Sequence, residues 1–168
     1  MDRFIKKKGI VMEKKVLFIS STGGHLSEMM MLDSLFDKYD YHIITEKTKS
    51  TVSMKKKYKN KINYMVYGTK DHPFSYPFKL LINCFKSIYY YFKIRPDFIV
   101  TTGVHTAGPM CILGHLFGSK VIYIETFANI HTKTKTGRLV YKVADLFIVQ
   151  WESMLELYPN AKYGGWIY

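Results

Sequence analysis

Short runs rich in β-branched and aromatic residues, at 16–20, 41–45, 62–66, 98–101, 120–125 and 146–150, alternate along the chain with longer segments of helical character. Strands separated by helix-length connections cannot pair as hairpins, so this alternation dictates a parallel sheet with crossover helices. The runs are nearly continuous in apolar residues, as expected of strands covered on both faces. The fold class is therefore α/β, a Rossmann-like parallel sheet with helices on both faces. The helices are expected at about 24–38, 52–58, 74–93, 106–117, 134–143 and 152–158, with Pro96 releasing the chain from the third. A chain of 168 residues with 48% hydrophobic residues fills one domain with a core of its own. No repeat or linker divides it, so a basic arm, 1–14, precedes a single domain, 15–168.

The third helix carries more apolar surface than a core requires. Its polar residues Lys79, Asn83, Lys86 and Lys93 fall on one narrow stripe. Phe78, Leu80, Leu81, Ile82, Phe85, Ile88, Tyr89, Tyr91 and Phe92 occupy the rest of the circumference, wider than the roughly 100° a surface helix buries. Lysines interrupt the run too often for a membrane span. The helix instead reads as lying in a membrane interface through Lys79, Phe85, Lys86, Tyr89 and Phe92, or as a fully buried crossover helix.

The net charge of +12 attracts phosphates, whether of nucleic acid, anionic lipid or a diphosphate-linked substrate. Much of it sits in two runs, Lys6 to Lys8 and Lys55 to Lys61. Nucleic acid is the weakest of the three, because no base-reading motif accompanies these runs. Cys84 and Cys111 lack metal or redox spacing and read as buried thiols of a reducing compartment. No signal peptide is visible, which points to the cytosol.

In an open α/β sheet, ligands bind beyond the carboxyl ends of the strands. Ser20-Ser21-Thr22-Gly23-Gly24-His25 follows the first strand, and Thr22, Gly23 and Gly24 there offer backbone N–H groups to an anion at a helix start. Gly103, His105 and Thr106 repeat the arrangement after the fourth strand, so two such loops are expected to face one crevice. Glu125 ends the fifth strand, where a carboxylate can accept from sugar hydroxyls or orient a base. His25 is the first candidate for a general base and Glu125 the second catalytic candidate; structural capping is the alternative for each. Dinucleotide binding is the rival reading, since Glu46 stands where a ribose-binding acid would. The first loop lacks that fingerprint's spaced third glycine, however, and no Walker A lysine or metal-ligand spacing occurs.

Taken in order, Ser20-Ser21-Thr22-Gly23-Gly24-His25, Thr101-Thr102-Gly103 with Gly108-Pro109, Ile124-Glu125-Thr126-Phe127-Ala128, Thr136-Gly137-Arg138-Leu139 and Leu146-Phe147-Ile148-Val149-Gln150-Trp151 resemble one family. It is that of the membrane-anchoring subunit of the two-part N-acetylglucosamine transferase of asparagine-linked glycosylation, with similar bacterial accessory proteins of capsule and exopolysaccharide synthesis. That family is in turn similar to the N-terminal domain of the single-chain transferase acting on the peptidoglycan lipid precursor, which has the GT-B fold. The resemblance implies an acceptor-binding, membrane-associated subunit at the cytoplasmic face. Thr22, Gly23, Gly24, Gly103, His105 and Thr106 would hold the diphosphate of a polyprenyl-linked saccharide. It also implies inverting transfer by single displacement, with no metal or cofactor, and a separate donor-binding glycosyltransferase subunit that brings the UDP-sugar. The aromatic end of the chain, 158–168, is the expected docking surface for that partner. A non-catalytic scaffold that recruits and activates the partner is the competing reading.

Overall fold

The computed structural model describes residues 13–68, 74–103 and 106–167. The basic arm up to residue 12, with Lys6 to Lys8, and His105 lie outside these residues. Seven strands form one parallel sheet in the order β3-β2-β1-β4-β5-β6-β7. They are β1 (Lys15–Ile19), β2 (Asp40–Glu46), β3 (Ile62–Met65), β4 (Phe98–Thr101), β5 (Lys120–Ile124), β6 (Leu146–Val149) and β7 (Lys162–Tyr163). The order reverses direction between β1 and β4, which makes the end of that strand pair the crevice where α/β sheets bind ligands.

Strand side chains alternate between two cores. Leu17 and Ile19 join Ile44, Ile99, Val121, Tyr123, Phe147 and Val149 on one face. Val16 and Phe18 join Ile43, Ile62, Val100 and Ile124 on the other. The first face is covered by α4 (Tyr76–Ile94), α5 (Gly108–Phe117), α6 (Lys135–Val140) and α7 (Ser153–Leu157), through Tyr91, Met110, Cys111, Val140 and Met154. The second is covered by α1 (Gly24–Met30) and α3 (Met54–Tyr58), with Met29, Phe36 and Tyr58 inserted. Each fully buried Phe, Leu or Ile contributes about 1.5–3 kcal/mol.

The strands and most helices fall where the sequence places them, and four features differ. The helix expected at 24–38 stops at Met30, and a 3-10 turn follows at Asp33–Leu35. Asp33 and Ser34 compete with helical hydrogen bonds and favour a turn. The helix expected at 52–58 starts earlier, as α2 (Lys49–Val52), and breaks at Ser53 before α3. The Thr51 hydroxyl accepts from the Thr48 N–H at 2.9 Å and starts α2 there. Strand β7, two exposed residues long, has too little apolar pattern to read. Cys84 is half-buried rather than buried, whereas Cys111 is fully buried.

Helix α4 is inside out. Its buried residues are Asn83, Ser87, Tyr91 and Ile94. Asn83 pairs with the backbone just past edge strand β3: its Oδ1 accepts from the Val66 N–H and its Nδ2 donates to the Val66 carbonyl, both at 2.8 Å. Ser87 donates to the Asn83 carbonyl at 2.8 Å. Part of the predicted polar stripe thus faces the sheet. Phe78, Leu81, Ile82, Phe85, Ile88, Tyr89 and Phe92 face outward, with Phe78 at 71% and Phe85 at 64% exposure. Lys79 and Lys86 stand half-buried beside that stripe. Burial, and then the charge of Lys47, push the Lys86 ammonium below its ordinary range. A fully buried crossover helix is excluded. Among the described residues, no helix is long and apolar enough to cross a membrane.

Candidate functional site

The first glycine loop leaves β1 with Ser20 and Ser21 buried and turns at Gly23, whose φ of +83° and ψ of −147° only glycine adopts without strain. The second loop turns at Gly103, φ +110°. A Cβ on Gly103 would lie 2.9 Å from the Tyr123 hydroxyl and 3.7 Å from His25 Nδ1, so this backbone has to come close to both rings.

Two reciprocal hydrogen bonds join the loops. His25 Nδ1 lies 2.9 Å from the Thr102 carbonyl, and Thr102 Oγ1 donates to the His25 carbonyl at 2.7 Å. A carbonyl can only accept, so Nδ1 is the donor, and in the neutral form of the ring the lone pair lies on Nε2. His25 therefore sits in the tautomer a general base requires, held by the loop across from it.

Two carboxylates fix this arrangement: Glu46, which the sequence offered only as the ribose-binding acid of the rival reading, and Glu28, which it left without a site role. Glu46, buried at the end of β2, accepts from the Thr22 N–H at 3.2 Å and from Thr22 Oγ1 at 3.3 Å through one oxygen. Thr22 is accordingly tied back to the sheet. Glu28, one turn along α1 from His25, accepts from Thr126 Oγ1 at 2.7 Å and from the Phe127 N–H at 3.1 Å, which fastens α1 to the loop after β5. Its other oxygen lies 4.0 Å from His25 Nδ1. The His25-to-Glu28 spacing of three on a helix was the available signal for the second of these.

Glu125 lies deeper than a group that touches substrate. It is 1% exposed. Its carboxyl accepts from the Thr126 N–H at 3.3 Å, the Tyr158 hydroxyl at 3.3 Å and Thr134 Oγ1 at 3.4 Å. Gly137 packs against the same group: a Cβ there would come 2.5 Å from the Tyr158 hydroxyl and 2.6 Å from Glu125 Oε2. Burial pushes the Glu125 carboxyl up to about 7, against the pull of these hydrogen bonds. Thr134 Oγ1 also accepts from the Gly137 N–H at 2.9 Å, capping α6, and lies 3.5 Å from the Tyr123 hydroxyl. Glu125 thus connects to the second glycine loop through Thr134 and Tyr123. Thr106, just ahead of α5, is 1% exposed, and its hydroxyl has no hydrogen-bond partner among the described residues.

His25 opens onto a cleft of about 490 Å³ at the carboxyl ends of β1, β4 and β5. Tyr123, Thr134, Lys135 and Gly108 line it together with His25, and Tyr76, Leu80, Cys84, Pro109, Ile112, Thr136 and Leu139 line the remainder. Among the described residues, no group of three or more His, Cys, Asp or Glu could hold a metal ion. At the far edge of the sheet, Trp166 is 75% exposed and stacks on Phe127 at 5.4 Å, and Phe127 packs on Trp151 at 4.7 Å.

Residues 16–167 match the family described as "Oligosaccharide biosynthesis protein Alg14 like". The chain is 25% identical over 182 residues to the UDP-N-acetylglucosamine transferase subunit ALG14 of Homo sapiens, covering 89% of this chain and 81% of that one. Against the Candida albicans subunit of the same name, identity is 27% over 182 residues, covering 95% and 81%. Among solved structures, Acinetobacter baumannii MurG superposes with a TM-score of 0.66 at 20% identity, covering 83% of this chain and 42% of that one. The UDP-N-acetylglucosamine 2-epimerase of Rickettsia bellii gives 0.66 at 13%, covering 88% and 41%. The chain thus has the fold of one Rossmann-like domain of these proteins and spans about two fifths of their length.

Proposed function

The chain belongs to the Alg14-like family of oligosaccharide biosynthesis proteins, and from that premise we propose that it is the acceptor-binding subunit of a two-component glycosyltransferase. Its acceptor is a sugar linked through diphosphate to a polyprenyl lipid, and its partner subunit brings a UDP-sugar. The two glycine loops, with Gly23, Gly24, Gly103 and Thr106, face the diphosphate, and His105, outside the described residues, is assigned to the same site from its place in the sequence. His25 Nε2 takes the proton from the attacking sugar hydroxyl as that oxygen bonds to the anomeric carbon of the donor. The bond from that carbon to UDP breaks in the same step, and the configuration inverts. Glu125 acts as a positioning residue through Thr134 and Tyr123, and Thr22 serves the loop through Glu46.

One observation carries this reading: the His25 to Thr102 pair of hydrogen bonds, which joins both loops and leaves Nε2 basic at the mouth of the cleft. The exposed apolar stripe of α4, flanked by Lys79 and Lys86, supports peripheral attachment to the cytoplasmic face of a membrane. Capsular and exopolysaccharide precursors present the same chemistry, and an assay separates them by which lipid-linked sugar is elongated. The test is transfer from a UDP-sugar to a short-chain prenyl-diphosphate sugar by this chain co-purified with its partner. His25→Ala should lower turnover by about 10²–10⁴ without dissociating the pair. Unchanged turnover would remove His25 from catalysis and leave the scaffold reading, in which the subunit recruits and activates its partner at the membrane and α4 supplies the membrane contact.

A further inference from the structure

The cleft beside His25 has two chemically distinct parts. His25, Tyr123, Thr134, Lys135 and the start of ten-residue α5 at Gly108 form one end. That end is polar and positive, with a lysine and a helix N-terminus together; the buried hydroxyl of Thr106, two residues before Gly108, has no hydrogen-bond partner among the described residues. The remaining wall is Tyr76, Leu80 and Cys84 from α4, Pro109 and Ile112 from α5, and Thr136 and Leu139 from α6. It carries no side-chain amide or charge, and its only hydroxyls are those of Tyr76 and Thr136. A wall so largely apolar suits hydrocarbon better than a peptide or saccharide, which need more hydrogen-bond partners than two hydroxyls supply.

The wall does not close on itself. Leu80 and Cys84 are four apart on α4, and Leu81 and Phe85, the next residue round from each, belong to the exposed stripe at 54% and 64%. A hydrocarbon chain starting at the polar end would leave the cleft directly onto that stripe. A volume of about 490 Å³ lies in the range that encloses a small-molecule segment and falls far short of a whole polyprenyl chain.

We propose that this cleft is a binding subsite for the first isoprene units of the acceptor lipid, with the diphosphate at the polar end and the rest of the chain passing out along α4. The proposal rests on the acceptor-binding reading above. It makes the subunit a reader of the prenyl diphosphate as one amphiphile: the tail next to the phosphates contributes to recognition inside the protein, apart from any partitioning into a bilayer.

The chain carries its own probe. Cys84 lines the cleft and is half-buried, while Cys111 is fully buried with its thiol pushed up to about 12 by burial and stays silent to alkylation. The experiment measures alkylation of Cys84 by a maleimide in the full chain, without membranes, with Cys84→Ser as the blank. Saturating farnesyl diphosphate should slow labelling by about tenfold or more, whereas inorganic diphosphate or farnesol at the same concentration should not. Leu139→Asn, a neutral change at a position 45% exposed and so tolerant of it, should weaken farnesyl diphosphate binding by about tenfold while changing inorganic diphosphate binding much less. Equal protection by inorganic diphosphate would overturn the tail subsite, and equal protection by farnesol would overturn its coupling to the head. Farnesyl diphosphate that binds by calorimetry but leaves Cys84 reactive would place the tail elsewhere, with the acceptor reading intact. Failure of any diphosphate ligand to bind would bring down both.

Discussion

At the scale of single residues, the glycine turns and the place of His25 in the first turn of a helix were legible because each answers to a local demand: a positive φ, or a helix start just after a strand. Glu46 was not, because its role depends on strand register. Ile19 pairs with Ile44, and this brings Glu46 beside Thr22, twenty-four positions away in sequence. Glu125 was legible in position but not in depth, since its cover comes from Thr134, Gly137 and Tyr158 on two later elements. That cover makes two predictions. With its carboxyl raised from the ordinary 4.5 to about 7, the folded state binds the Glu125 proton more tightly than the unfolded chain does. Stability from this group is full below pH 4.5, falls as pH rises towards 7 and is level above it, an effect of up to about 3 kcal/mol. Glu125→Gln should flatten that decline in denaturant titrations between pH 5 and 8, and an unchanged slope would put the carboxyl in water. Gly137→Ala, forced against three oxygens, those of Tyr158, Glu125 and Thr134, should cost about 1–3 kcal/mol in the same measurement.

At the scale of elements, α4 was half legible. Its excess of apolar surface is written in its spacing, but which stripe turns inward is not, because periodicity assigns the apolar side to the core. The reversal is set by Asn83, whose side-chain amide completes the backbone pairing past β3. Two substitutions on the one helix should therefore behave in opposite ways. Asn83→Ala leaves the Val66 N–H and carbonyl without partners and should lower stability by about 2–3 kcal/mol in urea titration. Phe85→Ser, on the exposed face, should shift stability by no more than about 0.5 kcal/mol while reducing sedimentation with anionic vesicles severalfold. Ordinary behaviour, with the exposed phenylalanine as the costly loss, would contradict the orientation of α4.

At the scale of the whole molecule, the alternation of strands and helices was enough to place six of seven strands, but not to order them. Order is decided by the crossover at β4, and that is what brings the two glycine loops together. The aromatic ladder of Trp151, Phe127 and Trp166 ends in an exposed ring at the far edge of the sheet. Buried at an interface, such a ring is worth about 2 kcal/mol or more. Trp166→Ala should weaken assembly with the donor-binding partner by at least about thirtyfold in ultracentrifugation, with the fold of the isolated chain intact. Asn83 acts at this scale as well. Rolling α4 by one residue, about 100°, would break both bonds to Val66, so the helix is keyed to the sheet like a shaft in its slot. Whatever surface receives the outward stripe thereby receives the sheet at one fixed inclination. The height of His25 above that surface becomes a dimension of the protein, in the way a gauge holds a tool at a set depth.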